Sequence, residues 1–424
     1  MKIFLDTVGC RLNQAEIEHL AGEFRAAGHL IVDTPHGADL VILNTCAVTA
    51  AAASDSRQKA RQAYRAGAAK ILLTGCLATL DPDLKEQLPG VSQLVKNQDK
   101  ARIPTMILQS EQDFDLEPLA RVPLPGTRKR TRAFIKVQDG CDNLCTFCVT
   151  RIARGKAVST PKDTVLRDIL SALAGGAQEV VLSGVHLGSW GSDLESGETL
   201  TDLVRFVLAN TDVKRLRLSS TEPWDLDEQF FALWEDPRMC RHLHLPLQSG
   251  SATVLKLMLR QTNPQKFSEL VQQARTHIPG VAITTDIIVG FPGETEEEFA
   301  QSLRFVEEMN FAGGHVFKYS ARPGTAAARL PGRVHGKIAQ ERSRMMRDVL
   351  QRSANRFCEA HIGAELFVLW ESAIQQGDGR WRLHGLSDNY LQISGLAENA
   401  RCNKIDRVKI QALTSDGLSA EIIL

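Results

Sequence analysis

The sequence of 424 residues has no apolar run near the roughly 20 residues that a membrane-spanning helix needs, so no membrane role is expected. It also has no net charge. Fifty Lys and Arg balance fifty Asp and Glu, which excludes whole-molecule attraction to nucleic acid. Any RNA binding must then come from local basic patches. The opening Met1-Lys-Ile-Phe-Leu-Asp6 is too short and too acidic for a signal peptide; it reads as a first strand, with the cytoplasm as the expected location. The remainder is ordinary for a soluble enzyme, 43% hydrophobic and 24% charged, with length for two or three domains. Cysteine is what the chain does have. Nine of them in a cytosolic protein point to metal or redox chemistry over disulfides.

Three sit in Asp139-Gly-Cys-Asp-Asn-Leu-Cys-Thr-Phe-Cys148, and the run has no fourth. A structural zinc site closes with four protein ligands, and an ordinary electron-transfer cluster takes four cysteines. Three thiolates on one loop leave one iron of a [4Fe–4S] cube open to bind something else. Structural cysteines, or zinc with a distant fourth ligand, are the bland alternatives. With Phe147 inside the run and an apolar strand at residues 133–137, the loop resembles the motif of the radical S-adenosylmethionine (SAM) superfamily.

The first hundred residues alternate strand and helix: strands at 2–6, 40–44 and 70–74, helices at 14–27 and 50–65, and another helical stretch after Pro82. That rhythm implies an open parallel sheet with helices on both faces. Cys10, Cys46 and Cys76 each fall just after one strand, and ligands gather at the carboxyl ends of such sheets. Three cysteines far apart in sequence are therefore expected to converge. The bland reading is that Cys is a small buried hydrophobe at strand ends. Cys240, Cys358 and Cys402 show no partner spacing and read as structural.

Pro and Gly then punctuate a linker, residues 113–132, closed by Arg128-Lys-Arg-Thr-Arg132, either a phosphate-binding run or a solvated one. From 133 to 357, strands at 134–137, 179–183, 215–219, 242–247, 283–289 and 315–319 alternate with helices, implying a partial (β/α)6 barrel with chemistry at the strands' C-terminal face. A long helix at 333–360 leads to residues 360–424. There, alternation at 365–370, 380–384, 390–393 and 407–411 implies a small five-stranded barrel.

Taken together, this order resembles the radical SAM methylthiotransferases along nearly the whole chain. The resemblance implies an auxiliary-cluster domain (1–112), a radical SAM core (133–357) and a TRAM-like RNA-binding barrel (360–424). It implies two [4Fe–4S] clusters, the auxiliary one held by Cys10, Cys46 and Cys76 and the SAM-binding one by Cys141, Cys145 and Cys148. Soft thiolates suit both. Gly184 and Val185 after the second strand, Ser219 and Ser220 after the third, and Asp286, Gly290 and Pro292 in Thr285-Asp-Ile-Ile-Val-Gly-Phe-Pro-Gly-Glu294 fall where the superfamily meets SAM, as does Phe147. No catalytic side chain is assigned.

Within the family, Thr7-Val-Gly-Cys-Arg-Leu-Asn-Gln-Ala-Glu16, Asn44-Thr-Cys-Ala-Val-Thr-Ala50 and Gly184-Val-His-Leu-Gly-Ser-Trp-Gly191 are similar to the MtaB-type branch. That branch converts N6-threonylcarbamoyladenosine (t6A) at position 37 of tRNA to its 2-methylthio form. One SAM methylates a sulfur; a second yields the radical that takes hydrogen from adenine C2. The branches acting on isopentenyladenosine, or on a ribosomal-protein aspartate, are the rivals; a non-catalytic RNA-binding iron–sulfur protein is another. The resemblance also implies a low-potential electron donor and a t6A-containing anticodon stem-loop, with a monomer favoured. The chain departs from the pattern at Val149-Thr-Arg151 and Trp190, and at Lys318, Ala321 and Ala326 where prolines are common. Arg151, Arg154, Lys156 and Arg322 are candidate contacts to the anticodon arm or the t6A carboxylate, against a solvated surface or internal ion pairs. Trp370, Trp381 and Tyr390 are candidate stacking platforms, against simple core positions.

Overall fold

The computed structural model describes residues 1–108 and 131–423. Residues 113–130 of the expected linker, with Arg128, Lys129 and Arg130 of its basic run, lie outside the described residues. Among those described, no helix is long and apolar enough to cross a membrane. The chain forms two compact units. One comprises Met1–Asn143, Cys148–Ala177 and Ser183–Val185; the other comprises Leu144–Phe147, Gln178–Leu182 and His186–Leu424.

In the first unit, β1 (Lys2–Thr7), β2 (Leu30–Val32), β3 (Leu40–Thr45), β4 (Ile71–Gly75) and β5 (Val91–Val95) form a parallel sheet in the order β2-β1-β3-β4-β5. Every residue of β3 and β4 is buried, as continuous apolar runs covered on both faces require. Leu40 and Ile42 pack with Ile17, Leu20 and Phe24 of the helix Arg11–Ala26. Val41 and Leu43 face the other way, onto Ala53, Ala60 and Ala63 of the helix Ala50–Arg65. The edge strands β2 and β5 are additions to the sequence reading; each is too short and mixed for alternation to announce it.

Besides a short antiparallel pair of Gln138–Asp139 with Val158–Ser159, six further strands follow: β6 (Arg132–Lys136), β7 (Glu179–Ser183), β8 (Arg215–Leu218), β9 (His242–His244), β10 (Ala282–Val289) and β11 (Gly313–Lys318). Where β6 ends, the Val137 N–H donates to the Ser183 carbonyl at 2.9 Å. Within the second unit β7 and β8 pair in parallel, as do β9, β10 and β11. The helix Glu296–Met309 joins the last two, opened by a Thr295/Glu298 capping box. These are the strands of the expected partial barrel. β9 stops at His244, short of the expected 247, because Pro246 has no N–H for a ladder and Gln248 takes φ 72°.

The helix Gly336–Glu359 leads to a closed five-stranded barrel of β12 (Glu365–Gln375), β13 (Trp381–Ser387), β14 (Gln392–Ala397), β15 (Ile405–Thr414) and β16 (Gly417–Ile422), ordered β12-β13-β14-β16-β15. Trp370 is not a stacking platform. It lies in the barrel core with its indole N–H donated to Asp406 Oδ2 at 2.8 Å. Trp381 packs against the same core. Tyr390 is not in a strand: at φ 67° it sits in a turn after Ser387, stacked on His242 with ring centroids 4.4 Å apart.

Candidate functional site

Cys10, Cys46 and Cys76 stand beyond the carboxyl ends of β1, β3 and β4, which are neighbours in the sheet. Thr7 pairs with Asn44 and Thr45 with Gly75, so the three chains leave the sheet at one level. Two glycines set how closely they approach. Gly9 (φ 100°) lies so near Cys46 that a Cβ there would sit 2.5 Å from its Sγ; Gly75 (φ 96°) lies so near Thr45 that a Cβ would sit 2.2 Å from its carbonyl oxygen. No other residue fits either place. Cys10 holds the N-cap of the helix Arg11–Ala26, a position Ser, Thr, Asp or Asn would usually fill, yet its thiol makes no capping bond.

The thiols feel one another. Burial pushes the Cys46 thiol up to about 11, with Cys10 and Cys76 adding to the rise and Arg154 opposing it. Cys10 reaches solvent, but the protein packed round its thiol raises it as well, again against Arg154. Asn97 Nδ2 lies 3.6 Å from Cys76 Sγ and donates to the Ala153 carbonyl at 2.9 Å. Among the described residues no three His, Cys, Asp or Glu side chains close on a single metal ion. Three thiols at one rim, with the Asn97 amide aimed at Cys76, fit a wider, thiolate-held iron–sulfur cube.

Arg154 belongs to a buried ion network rather than to a surface that could meet RNA. Its side chain is 2% exposed. Nη1 lies 2.9 Å from Glu16 Oε1 and 2.8 Å from Asp139 Oδ1, and Nη2 donates to Asn13 Oδ1 at 2.6 Å. Glu16 also pairs with Lys100 and Lys136 and accepts from Asn44 Nδ2 at 3.0 Å. Burial alone would raise the Glu16 carboxyl, but Lys100, Arg154 and Lys136 hold it well below the usual carboxylate range. Asn13 Nδ2 ties the network to the rim through the carbonyls of Val8 and Thr45. The Asn and Glu of the Gly-Cys-Arg-Leu-Asn-Gln-Ala-Glu16 segment are thus parts of the cysteine rim's support. The sequence showed them only as a signature.

The second cysteine set divides between the units. In the first, the Cys141 N–H donates to the Gly155 carbonyl at 3.1 Å and the Thr150 N–H points at Cys148 Sγ at 3.4 Å, where the helix Thr150–Arg154 begins. In the second, Thr146 pins the Cys145 segment: its N–H and hydroxyl donate to Met258 and Leu257 carbonyls, and its carbonyl accepts from Ala327. Phe147 packs on Val254, Met258, Phe291 and Ala327. Arg260, which sequence reasoning missed, aims Nη1 at Cys145 Sγ, 3.7 Å away. Glu222 holds that guanidinium at 3.0 and 2.6 Å, and Trp224 lies beneath it with the ring centroid at 4.5 Å. A lone Arg in Met258-Leu-Arg260 carries no spacing signal.

The residues expected to meet SAM are placed as follows. Gly184 and Val185 follow β7 directly, in the first unit. In the second, Ser219 and Ser220 follow β8, and Ser220 bridges to His244, whose Nε2 lies 3.3 Å from Asp286 Oδ2. Ser219 Oγ, Thr221 Oγ1 and Asp286 Oδ1 are buried without a hydrogen-bond partner in the protein. Buried polar atoms need partners, so three orphans, two just past β8 and one within β10, suit a polar ligand. Gly290 (φ 72°) is engaged in packing: its N–H donates to Glu294, which Arg342 pairs at 2.8 Å, and a Cβ there would strike Ala339. Pro292 lies in the same turn. Trp190 is 2% exposed, so its departure from the family pattern is a core position.

Residues 2–96 match the uncharacterized protein family UPF0004, and residues 135–306 match the radical SAM superfamily. The threonylcarbamoyladenosine tRNA methylthiotransferase MtaB of Bacillus subtilis (strain 168) is 34% identical over 418 residues, 95% of this chain and 92% of its own. The tRNA-2-methylthio-N(6)-dimethylallyladenosine synthase of Maricaulis maris (strain MCS10) is 31% identical over 448 residues, covering 99% and 97%. Among solved structures, the radical S-adenosylmethionine methyltransferase TsrM of Kitasatospora setae superposes with a TM-score of 0.58 at 16% identity, over 77% of this chain and 75% of that one. That likeness concerns the fold alone. The relatives that run the length of the chain decide the matter: it belongs to the radical SAM tRNA methylthiotransferase family.

Proposed function

We propose that this enzyme methylthiolates C2 of t6A at position 37 of tRNA, using two [4Fe–4S] clusters and SAM. The observation that carries the reading is the pair of cysteine triads. Cys10, Cys46 and Cys76 meet at three adjacent strand ends, in a chain whose Cys141, Cys145 and Cys148 form a three-thiolate loop. When bound, the clusters and SAM supply a transferable methylated sulfur and a carbon-centred oxidant for an unreactive C–H bond. The protein's own residues position and shield. Gly9 and Gly75 let the first triad close, Arg260 steers Cys145, and Ser219, Thr221 and Asp286 offer unmet polar atoms to a ligand.

Residues 1–112 are assigned to the first cluster, 133–357 to radical generation and 360–424 to RNA. Cys10, Cys46 and Cys76 hold one cluster; Cys141, Cys145 and Cys148 hold the other. Phe147, Gly184, Val185, Ser219, Ser220, Asp286, Gly290 and Pro292 border SAM, with Gly290 and Pro292 acting through the turn they shape. A low-potential reductant supplies electrons to a cytoplasmic monomer. The t6A substrate is supported by relatives at 34% identity that bear that name; N6-dimethylallyladenosine is the second reading, supported by relatives at 31–33%.

The test is mass spectrometry of tRNA nucleosides from cells that carry no second such enzyme, with this gene present and with it deleted. Disappearance of 2-methylthio-t6A, with t6A accumulating, is the expected result. Loss of the 2-methylthio dimethylallyl nucleoside instead would transfer the assignment to the second reading.

A further inference from the structure

A cluster held by the first cysteine triad would bring three thiolates together at a rim where two of the cysteines, Cys46 and Cys76, are buried. Buried charge of one sign needs compensation close by. Arg154 supplies a cation at that rim. Its Nη2 donates to Asn13 Oδ1 at 2.6 Å, and Asn97, whose Nδ2 lies 3.6 Å from Cys76 Sγ, donates to the carbonyl of Ala153, the residue before Arg154. Its position is over-determined: Glu16, Asp139 and Asn13 each hold one edge of the guanidinium, and Asn13 is itself bonded to the Val8 and Thr45 carbonyls beside Cys10 and Cys46. The cation also arrives from the other triad's loop. It closes a five-residue helix, Thr150–Arg154, whose first N–H points at Cys148 Sγ.

We propose that Arg154 is the counter-charge of the first cluster, a positioning residue that stabilises its reduced form and so raises its reduction potential. This rests on the cluster assignment made above. A fixed positive charge beside a cluster favours the state with one more electron; such potentials are set by net charge, hydrogen bonds to sulfur and exposure. Glu16 and Asp139 oppose that charge, and with Lys100 and Lys136 also paired to Glu16 the network keeps one positive charge in excess. Weakening a carboxylate partner should therefore shift the potential opposite to removing the arginine.

The test uses the full-length chain with Cys141, Cys145 and Cys148 replaced by alanine, so that only the first cluster is loaded. Iron content is measured, and the midpoint potential is read by a dithionite titration followed by electron paramagnetic resonance. In Arg154→Gln the potential falls, by about 59 mV for each tenfold loss in the reduced-to-oxidised ratio of a one-electron couple; about one such step is expected. Arg154→Lys keeps the charge and restores most of the shift. Asp139→Asn keeps the acceptor oxygen, removes one negative charge and moves the potential upward. A purely structural Arg154 would lower iron content or stability in these variants without opposite shifts. Should Arg154→Gln fail to hold iron, Asp139→Asn decides alone: an upward shift supports the proposal, and an unmoved potential overturns it. A background protein that takes up no iron overturns the cluster assignment and this inference with it. Iron bound with both potentials unmoved overturns only the counter-charge.

Discussion

Glu16 is the residue on which the first unit's interior chemistry turns. A carboxylate with a side chain only 4% exposed persists because Lys100, Arg154 and Lys136 surround it. Removing one partner of such a buried set typically costs about 3–5 kcal/mol, since the remaining charges lose their compensation. Glu16→Gln should therefore destabilise the iron-free protein by that order at pH 7, read from denaturant unfolding of the first unit. The pH dependence has a definite sign. With the folded carboxyl held well below its ordinary 4.5, the unfolded state binds more protons just under pH 4.5. The stabilisation is complete above about pH 4.5 and is lost as pH falls toward the folded value. The gap between wild type and Glu16→Gln should thus be constant from pH 8 to 5 and narrow below that; a gap that widens in acid would refute the assignment of charge to Glu16.

At the scale of elements, the strand-to-cysteine turns set where the first three cysteines stand. β4 delivers Cys76 through Gly75, whose φ of 96° and contact with Thr45 leave no room for a Cβ. Gly75→Ala must push β3 and β4 apart at the rim, displacing Cys76 from its neighbours. The expected outcome is a protein that still folds but loads about four irons instead of about eight, with SAM cleavage by the second cluster retained. Full loading in that variant would show that the approach of Thr45 is not needed. The sequence exposed these turns as Val8-Gly-Cys10 and Thr74-Gly-Cys76, because a glycine before a cysteine after an apolar run is a local pattern. It did not expose Arg260 or the Glu16 network. Those depend on which side chains meet across the fold, and no spacing in the chain encodes such meetings. Arg154 shows the cost: an arginine near a cysteine loop looks the same in sequence whether it faces RNA or a buried carboxylate.

Over the whole molecule, the second unit is tied together by arginines that reach backbone carbonyls. Arg217 is fully buried with Glu179, at 2.7 Å, and also donates to the Asp388 carbonyl at 2.9 Å. Arg215 reaches the Leu386 and Phe367 carbonyls, and Arg241 pairs with Asp388. The small barrel is thereby locked onto β8 and the segment preceding β9. Arg217→Ala leaves Glu179 buried and uncompensated and should cost about 3–5 kcal/mol, measured by denaturant unfolding. Glu179→Gln combined with Arg217→Met should recover part of that loss; an additive or larger loss in the double variant would show that the pair is not the cause.

The sequence by itself determined where the two sets of three cysteines fall and the three-part strand and helix order, because residue type, spacing and hydrophobic period are written along the chain; the chemistry class came from its likeness to a known family. Tertiary structure alone decided what surrounds those cysteines. It turned Arg154 inward, set Arg260 beside Cys145, buried Trp370 in the barrel and put Tyr390 against His242. The physical reason is that charge compensation and packing are relations between residues far apart in sequence, fixed only when the sheet and barrels close and water is excluded.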